Sequence, residues 1–310
     1  MRRTLTTILL AVSIVSAAAQ SRILPLGDMA ASAASLASGG SRYAGGGAAV
    51  YTRPSAALEQ DGSFGAGYSA AIIPSDGYTQ TLHTLTAAWH GGRHAVLLGG
   101  RYWLQGKQDI FVDDNMGETA DRSMTMRSYA LDAGYAFAVS RSVHAYATVG
   151  YVAEKTLATV GGVRATVGAD YTCGGRLFGL EAKYVAGASV SNLGRYSGGG
   201  NSGSLSPRIG LGGSVELVPG ARQTLSVNAD AGMFLASGNA RRAAELAAGV
   251  GYTFLDSYTL RVGTHVGDHD NAFTAGAGAR IGFVTISGGV RIAAASDVCN
   301  VYMVGLSASF

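Results

Sequence analysis

Cysteine, proline and charge are all scarce in this chain of 310 residues. Two Cys exclude a disulfide scaffold and a Cys-rich metal module. Charged residues make up 14%, against roughly 25% in a soluble domain, and so few charges exclude a disordered chain. Beyond the N-terminus no apolar run approaches the ~18 residues of a membrane helix, which excludes a polytopic helical membrane protein. The formal net charge is +3 and no block of basic residues points to nucleic acid. What the chain has in quantity is glycine, 46 residues, within a composition that is 47% hydrophobic.

Residues 1–19 read as a secretory signal peptide. Arg2 and Arg3 precede an apolar stretch from Leu5 to Val15, followed by Ala17-Ala18-Ala19 as a small-residue cleavage site. The stretch is too short for a spanning anchor, and no Cys follows for a lipid. The mature protein is expected to leave the cytoplasm.

The rest of the chain alternates with period two, the mark of a strand with one apolar face. Tyr129, Leu131, Ala133, Tyr135 and Phe137 oppose Ser128, Ala130, Asp132, Gly134 and Ala136. Val163, Ala165, Val167, Ala169 and Tyr171 oppose Arg164, Thr166, Gly168 and Asp170. The final stretch, Tyr302, Val304, Leu306, Ala308 and Phe310, has the same form. Only Asp28–Ser38 and Pro54–Gln60 read as helical. The less greasy face is Gly, Ser, Thr and Ala with single charges set into it, whereas the outer face of a soluble sandwich is charged throughout. The apolar face carries aromatics near strand ends: Tyr68, Tyr102, Trp103, Tyr129, Phe137, Tyr151, Tyr171, Tyr184, Phe254 and Tyr258. A lipid-facing band with aromatic girdles around a polar interior fits this pattern, and a closed barrel satisfies every backbone group in lipid.

The expected fold is therefore all-β, a closed antiparallel transmembrane β-barrel. Fourteen strands are expected near 62–73, 79–90, 93–104, 124–139, 142–153, 162–173, 175–189, 206–217, 222–236, 244–254, 257–266, 271–281, 283–293 and 300–310. From the second strand onward, tight connections alternate with longer ones, as in barrels with short periplasmic turns and long outer loops. Gly91-Gly92 and Gly174 are read as tight turns, and 105–123 and 190–205 as long outer loops. Cys173 at a periplasmic turn and Cys299 in an outer loop would then be too far apart to pair, so two free thiols are expected. The domains are a signal peptide (1–19), an N-terminal segment (20–61) and the barrel (62–310).

The inward phase collects charges of both signs that can pair across a lumen: Asp132, His144, Arg164, Asp170, Glu181, Lys183, Arg208, Glu216, Asp230, Arg261 and Arg291. A structural charge network is favoured over acid–base catalysis, because no nucleophile elbow or triad signature is present. No enzyme and no cofactor is expected. His90 with His94, and His265 with His269, lack a third ligand at metal spacing, so no metal is expected. Asp109, Asp113, Asp114, Glu118 and Asp121 read as a solvated acidic loop, lacking the regular calcium-loop spacing.

The segment Gly40 to Val50, followed by Arg53-Pro54-Ser55-Ala56-Ala57-Leu58, resembles the start of the PorV/PorQ family of FadL-like outer-membrane barrels. Pro54 and Leu58 fit that family's Asn-Pro-Ala-x-Leu element, while Arg53 and Ser55 depart from it. Val167 to Tyr171, Ser191 to Gly194, Leu205 to Gly212, Gly249 to Tyr252, Leu260 to Gly263 and Ala275 to Arg280 extend the resemblance across 27–310. Phe310 at the end of an amphipathic strand also resembles the signal that many outer-membrane barrels present for insertion. The resemblance implies fourteen strands, an N-terminal plug in or against the lumen, and an outer membrane of Bacteroidota type. Arg42, Tyr43, Arg53 and Pro54 are the gate or plug candidates. It implies a scaffold or shuttle for type IX secretion, with secretion components or secreted cargo as partners. The alternative is a FadL-like transporter of hydrophobic small molecules. Outer-membrane lipid is a partner in either case.

Overall fold

The structure is a computed structural model that describes residues 24–75, 78–114, 117–156, 158–237, 240–268, 270–295 and 298–310. The expected signal peptide and His269 lie outside the described residues, as do the side chains of Asp109, Asp113, Asp114, Glu118 and Asp121.

Fifteen strands occur among the described residues: Phe64–Ser75 (β1), Tyr78–Gly91 (β2), His94–Asp114 (β3), Gly117–Ala138 (β4), Val143–Lys155 (β5), Thr159–Leu177 (β6), Leu180–Gly198 (β7), Asn201–Ser204 (β8), Arg208–Gly220 (β9), Gln223–Phe234 (β10), Ala243–Phe254 (β11), Tyr258–Gly267 (β12), Ala272–Ile281 (β13), Val284–Ala293 (β14) and Val301–Ser309 (β15). All but the short β8 form one antiparallel ring of fourteen. It closes because β1 pairs with β15, Gly65 opposite Ser309, while β6 pairs with both β5 and β7. Closure removes the free edge that would expose unpaired backbone to lipid. At the seam the backbone of Phe310 exchanges hydrogen bonds with Phe64 at 2.8 and 3.1 Å, and the Phe310 ring packs on Phe283, centroids 4.9 Å apart.

The period-two pattern has the expected consequence. Leu131, Val163, Leu211, Val262 and Val304 face outward, each more than half exposed. Ser69, Thr84, Thr86, Ser128, Asn228 and Thr274 face inward and are buried. The inner wall is covered by the N-terminal segment, which carries short 3-10 turns at Pro25–Gly27, Ala49–Tyr51 and Pro54–Glu59 and one helical turn at Ala33–Ala37. The helical turn packs on β12 to β15, and Pro54–Glu59 packs on β2 to β5. Close approach demands glycine here. The Ser38–Gly39 backbone lies so near β12 that a Cβ at Gly263 would stand 2.5 Å from the Gly39 nitrogen. Gly263→Ala should therefore cost about 1–3 kcal/mol through overpacking, read as a lower denaturant midpoint in detergent.

Several expectations are corrected. The regions 105–123 and 190–205 are not open loops. Strands β3 and β4 pair out to Asp114 and Gly117, and β7 runs to Gly198 before β8 folds back on it. Beyond the lipid band neither strand face needs to be apolar, so paired strand there shows no hydrophobic alternation. The turn assigned to Gly174 lies at Phe178-Gly179, both with positive φ, 53° and 80°. Cys173 consequently sits inside β6, opposite Tyr184. Both Cys173 and Cys299 are free. Trp103 does not join the outer girdle; it is opposite the buried Ser128 and packs against an inner apolar cluster around Leu26, Leu82 and Val152.

Candidate functional site

The lumen is organised in layers from the loop end to the turn end. At the loop end Leu24 and Leu26 join Leu82, Ala130, Val152, Leu205 and Met303 in a buried apolar cluster. Arg101 of β3 ties this layer down by donating to the carbonyl oxygens of Leu26 (2.5 Å) and Met29 (2.8 Å). Its guanidinium also lies 4.4 Å from the Tyr51 ring centroid, a cation–π contact.

The middle layer holds separate charge groups. Arg164 of β6 pairs with Asp132 of β4 at 2.9 Å. Arg208 of β9 pairs with Asp230 of β10 at 2.9 Å and with Glu245 of β11 at 2.5 Å. The inner segment enters these groups directly. The Arg42 amide donates to Asp230 Oδ1 at 3.0 Å, and its guanidinium reaches Ser191 Oγ at 3.4 Å. Tyr43 donates to Asp170 Oδ1 at 3.2 Å, and Ser55 donates to the other oxygen of Asp170. Burial, with Asp170 beside it, pushes the Tyr43 phenol above its usual range, so it remains a donor.

Toward the turn end Glu59 is the centre. Arg53 grips its carboxylate with two bonds of 3.1 Å, Lys183 of β7 donates at 2.8 Å and Thr172 of β6 at 3.1 Å. His144 Nδ1 lies 3.6 Å away. Burial raises the Glu59 pKa, but Arg53 and Lys183 outweigh it and hold the group at about 2. Pro54 is buried and opens the 3-10 turn that carries Glu59. Proline suits that position because its φ is fixed and no amide is needed there.

The remaining expected residues lie apart. Arg291 bonds Asp270 at the loop end. Arg261 is partly buried among hydroxyl side chains such as Ser287 and Thr285. Glu181 and Glu216 are exposed, on the turn-end parts of β7 and β9. Sequence reasoning did not select Arg101, Glu245, Asp270, Ser55 or Glu59. Arg101 was open to it, because it falls in the inward phase of β3. Glu245 was obscured by the alanine-rich run around it. Ser55 and Glu59 sit on an irregular segment with no period to read.

Above the charged layer, between the inner segment and the wall, is a cavity of about 230 Å³. Its lining includes Met29, Leu36, Leu82, Ala247, Val301 and Met303 together with the charged Arg42, Arg208, Glu245 and Asp270. An apolar cavity of about 150 Å³ accommodates benzene, so this volume suits a molecule of one aromatic ring or slightly more. Among the described residues no cluster of His, Cys, Asp and Glu is arranged to hold a metal ion.

No protein-family model and no curated protein matches the sequence. Solved structures do match the fold. The toluene transporter TodX of Pseudomonas putida is 12% identical, with 96% of this chain and 100% of that chain covered at a TM-score of 0.66. The toluene transporter TbuX of Ralstonia pickettii is 14% identical, with 93% and 100% covered at 0.60. The monoaromatic hydrocarbon channel CymD is 10% identical, with 86% and 93% covered at 0.56. At these identities the likeness is one of fold: a fourteen-stranded barrel of the kind used by these transporters.

Proposed function

We propose that the protein is an outer-membrane channel for small hydrophobic molecules, with residues 20–61 as its plug. The observation that carries this reading is the cavity of about 230 Å³ between the inner segment and the wall, with apolar residues in its lining. The fold shared with toluene transporters supports it. The reading is non-enzymatic, in keeping with a fold shared with transporters and channels. In this reading the tight turns face the periplasm and the long hairpins the outside, as in barrels with short periplasmic turns and longer outer loops. This reverses the order of the two readings drawn from the sequence, because the lumen offers a site for a small molecule.

The test is uptake of radiolabelled toluene by cells with and without the protein. Faster uptake is expected with it. Leu36→Arg, which replaces an apolar lining residue with a longer charged one, is expected to abolish the gain while the barrel still folds. Equal uptake with and without the protein overturns the reading.

A second reading, a PorV/PorQ-type scaffold for type IX secretion, is favoured only by the hairpins β3–β4 and β7–β8, which extend past the neighbouring strands. Trimming 105–123 and 190–205 would then abolish co-purification of secretion components or cargo. Retained co-purification, or none from the intact protein, refutes the scaffold.

A further inference from the structure

On the outer wall at the loop end, three cations stand on three neighbouring strands. Arg127 of β4 and Lys155 of β5 are direct cross-strand partners. Lys107 of β3 is the partner of Thr125, two residues from Arg127, and so lies diagonal to it. All three side chains are exposed. They share the outward face, because Thr125, Arg127, Tyr129 and Leu131 alternate with the inward Ser128 and Ala130.

Like charges directly opposed on a sheet destabilise it unless something of opposite charge lies between them. Among the described residues no carboxylate pairs with Lys107, Arg127 or Lys155. Three exposed cations at the turn end do find acceptors. Arg222 pairs with Asp256 at 3.1 Å, Arg280 with Asp61 at 3.4 Å, and Arg93 donates to the Ala138 carbonyl at 2.7 Å. Lys107, Arg127 and Lys155 thus stand side by side with no carboxylate partner among the described residues.

What lies beneath the cations identifies the class of partner. Tyr102 and Tyr129 are opposed on β3 and β4, and the Tyr129 and Tyr151 rings are 6.3 Å apart. Next on the same face come Leu131 and Val149, 65% and 55% exposed. A free anion would use only the cations. A lipid would use the cations for its headgroup and the tyrosine and aliphatic surface for its chains, the arrangement found at membrane interfaces. We propose that Lys107, Arg127 and Lys155 form a docking site for a phosphate-bearing glycolipid of the outer leaflet, whose acyl chains lie along Tyr102, Tyr129 and Tyr151. The phosphate bridges Arg127 and Lys155 and converts their repulsion into two charge-assisted contacts. The proposal rests on the outer-membrane orientation given above and not on what the lumen transports.

Native mass spectrometry of the purified barrel in non-ionic detergent tests it, with diphosphoryl lipid A and its dephosphorylated form as probes. The wild-type protein should retain roughly tenfold more of the phosphorylated form, the scale of one or two charge-assisted hydrogen bonds. Arg127→Ser/Lys155→Ser should lose that preference, with folding checked by heat-modifiable migration. In lipid-free detergent Lys155→Ser alone should leave the melting midpoint unchanged or raised, since a repulsion is removed. In lipid A bilayers the same change should lower it. Inorganic phosphate at the lipid's concentration should not compete. Equal retention of the two lipids by the wild type overturns the proposal without recourse to any variant. So does an unchanged preference in the double variant, or full competition by phosphate. Hydrocarbon uptake by the variants is expected to match wild type, so failure here and failure of the channel reading are separate outcomes.

Discussion

Replacing Arg208 with alanine should destabilise the folded barrel by about 3–5 kcal/mol, the cost of breaking a buried ion pair from one side. Its side chain is 2% exposed and holds two carboxylates, Asp230 at 5% exposure and Glu245 at 20%. Alanine leaves both anions with only the longer-range charge of Arg42, which makes no ion pair with Glu245. Asp230 keeps one bond, from the Arg42 amide. The substitution therefore strikes twice, at the link between β9, β10 and β11 and at a contact that positions the inner segment. Asp230→Asn should cost less, because Arg208 still holds Glu245 and an amide oxygen can accept from Arg42. Adding Glu245→Gln to Arg208→Ala should recover part of the loss, because one of the stranded charges is removed with its partner. Guanidinium unfolding in detergent, followed by tryptophan fluorescence, measures all four proteins. A loss below about 1 kcal/mol for Arg208→Ala would place this group among pairs that contribute little, as solvated surface pairs do.

How far the sequence reveals this arrangement depends on what kind of order each part has. The barrel wall is periodic, and lipid enforces the period. Val163, Val167 and Tyr171 face outward and Arg164 and Asp170 inward because one face meets hydrocarbon and the other does not. Fourteen strands and their inward charges can be read from that alternation. It stops where the lipid stops, so the paired ends of β3, β4 and β7 look like loops. The turn at Phe178-Gly179 was missed because Gly174-Gly175 offers a stronger glycine signal four residues earlier. The candidate site is only half periodic. Asp132, Arg164, Asp170, Arg208 and Asp230 are legible by phase. Their partnerships, and the role of Ser55 and Glu59, depend on the path of an irregular segment through the lumen. The family resemblance has the same limit. Its motifs are mostly Gly, Ala and Ser, which a wall packed against an inner segment requires whatever passes through it, so they indicate the barrel and its close packing more strongly than the cargo.

Glu59 gives the segment a fastening whose strength depends on pH. Its pKa, about 2 in the folded protein, lies below the ordinary 4.5. A depressed carboxylate stabilises the fold at pH values above the ordinary pKa, and the contribution fades as pH falls toward the folded value. A carboxylate held from 4.5 down to about 2 contributes about 3 kcal/mol at most. Lys183, 42% exposed, is screened by solvent, which brings the expected contribution to about 2 kcal/mol. Glu59→Gln should lose that amount at neutral pH and should lack the wild-type decline between pH 4.5 and 2. The release should be local. Residues 49–61 are held to β5, β6 and β7 by this carboxylate, by Ser55 donating to Asp170 and by packing of Ala57 near Tyr146, whereas the helical turn at Ala33–Ala37 is packed on β12 to β15 independently. Hydrogen exchange should therefore rise in 49–61 of Glu59→Gln at pH 7 and leave Ala33–Ala37 protected, and planar-bilayer recordings should show added conductance. Uniformly raised exchange across both stretches would mean that Glu59 supports the whole lumen. Unchanged exchange in 49–61 would mean that the buried Ala49, Val50 and Ala57 hold the segment without it. Only the local response makes the turn-end fastening the place where the inner segment comes away from the wall.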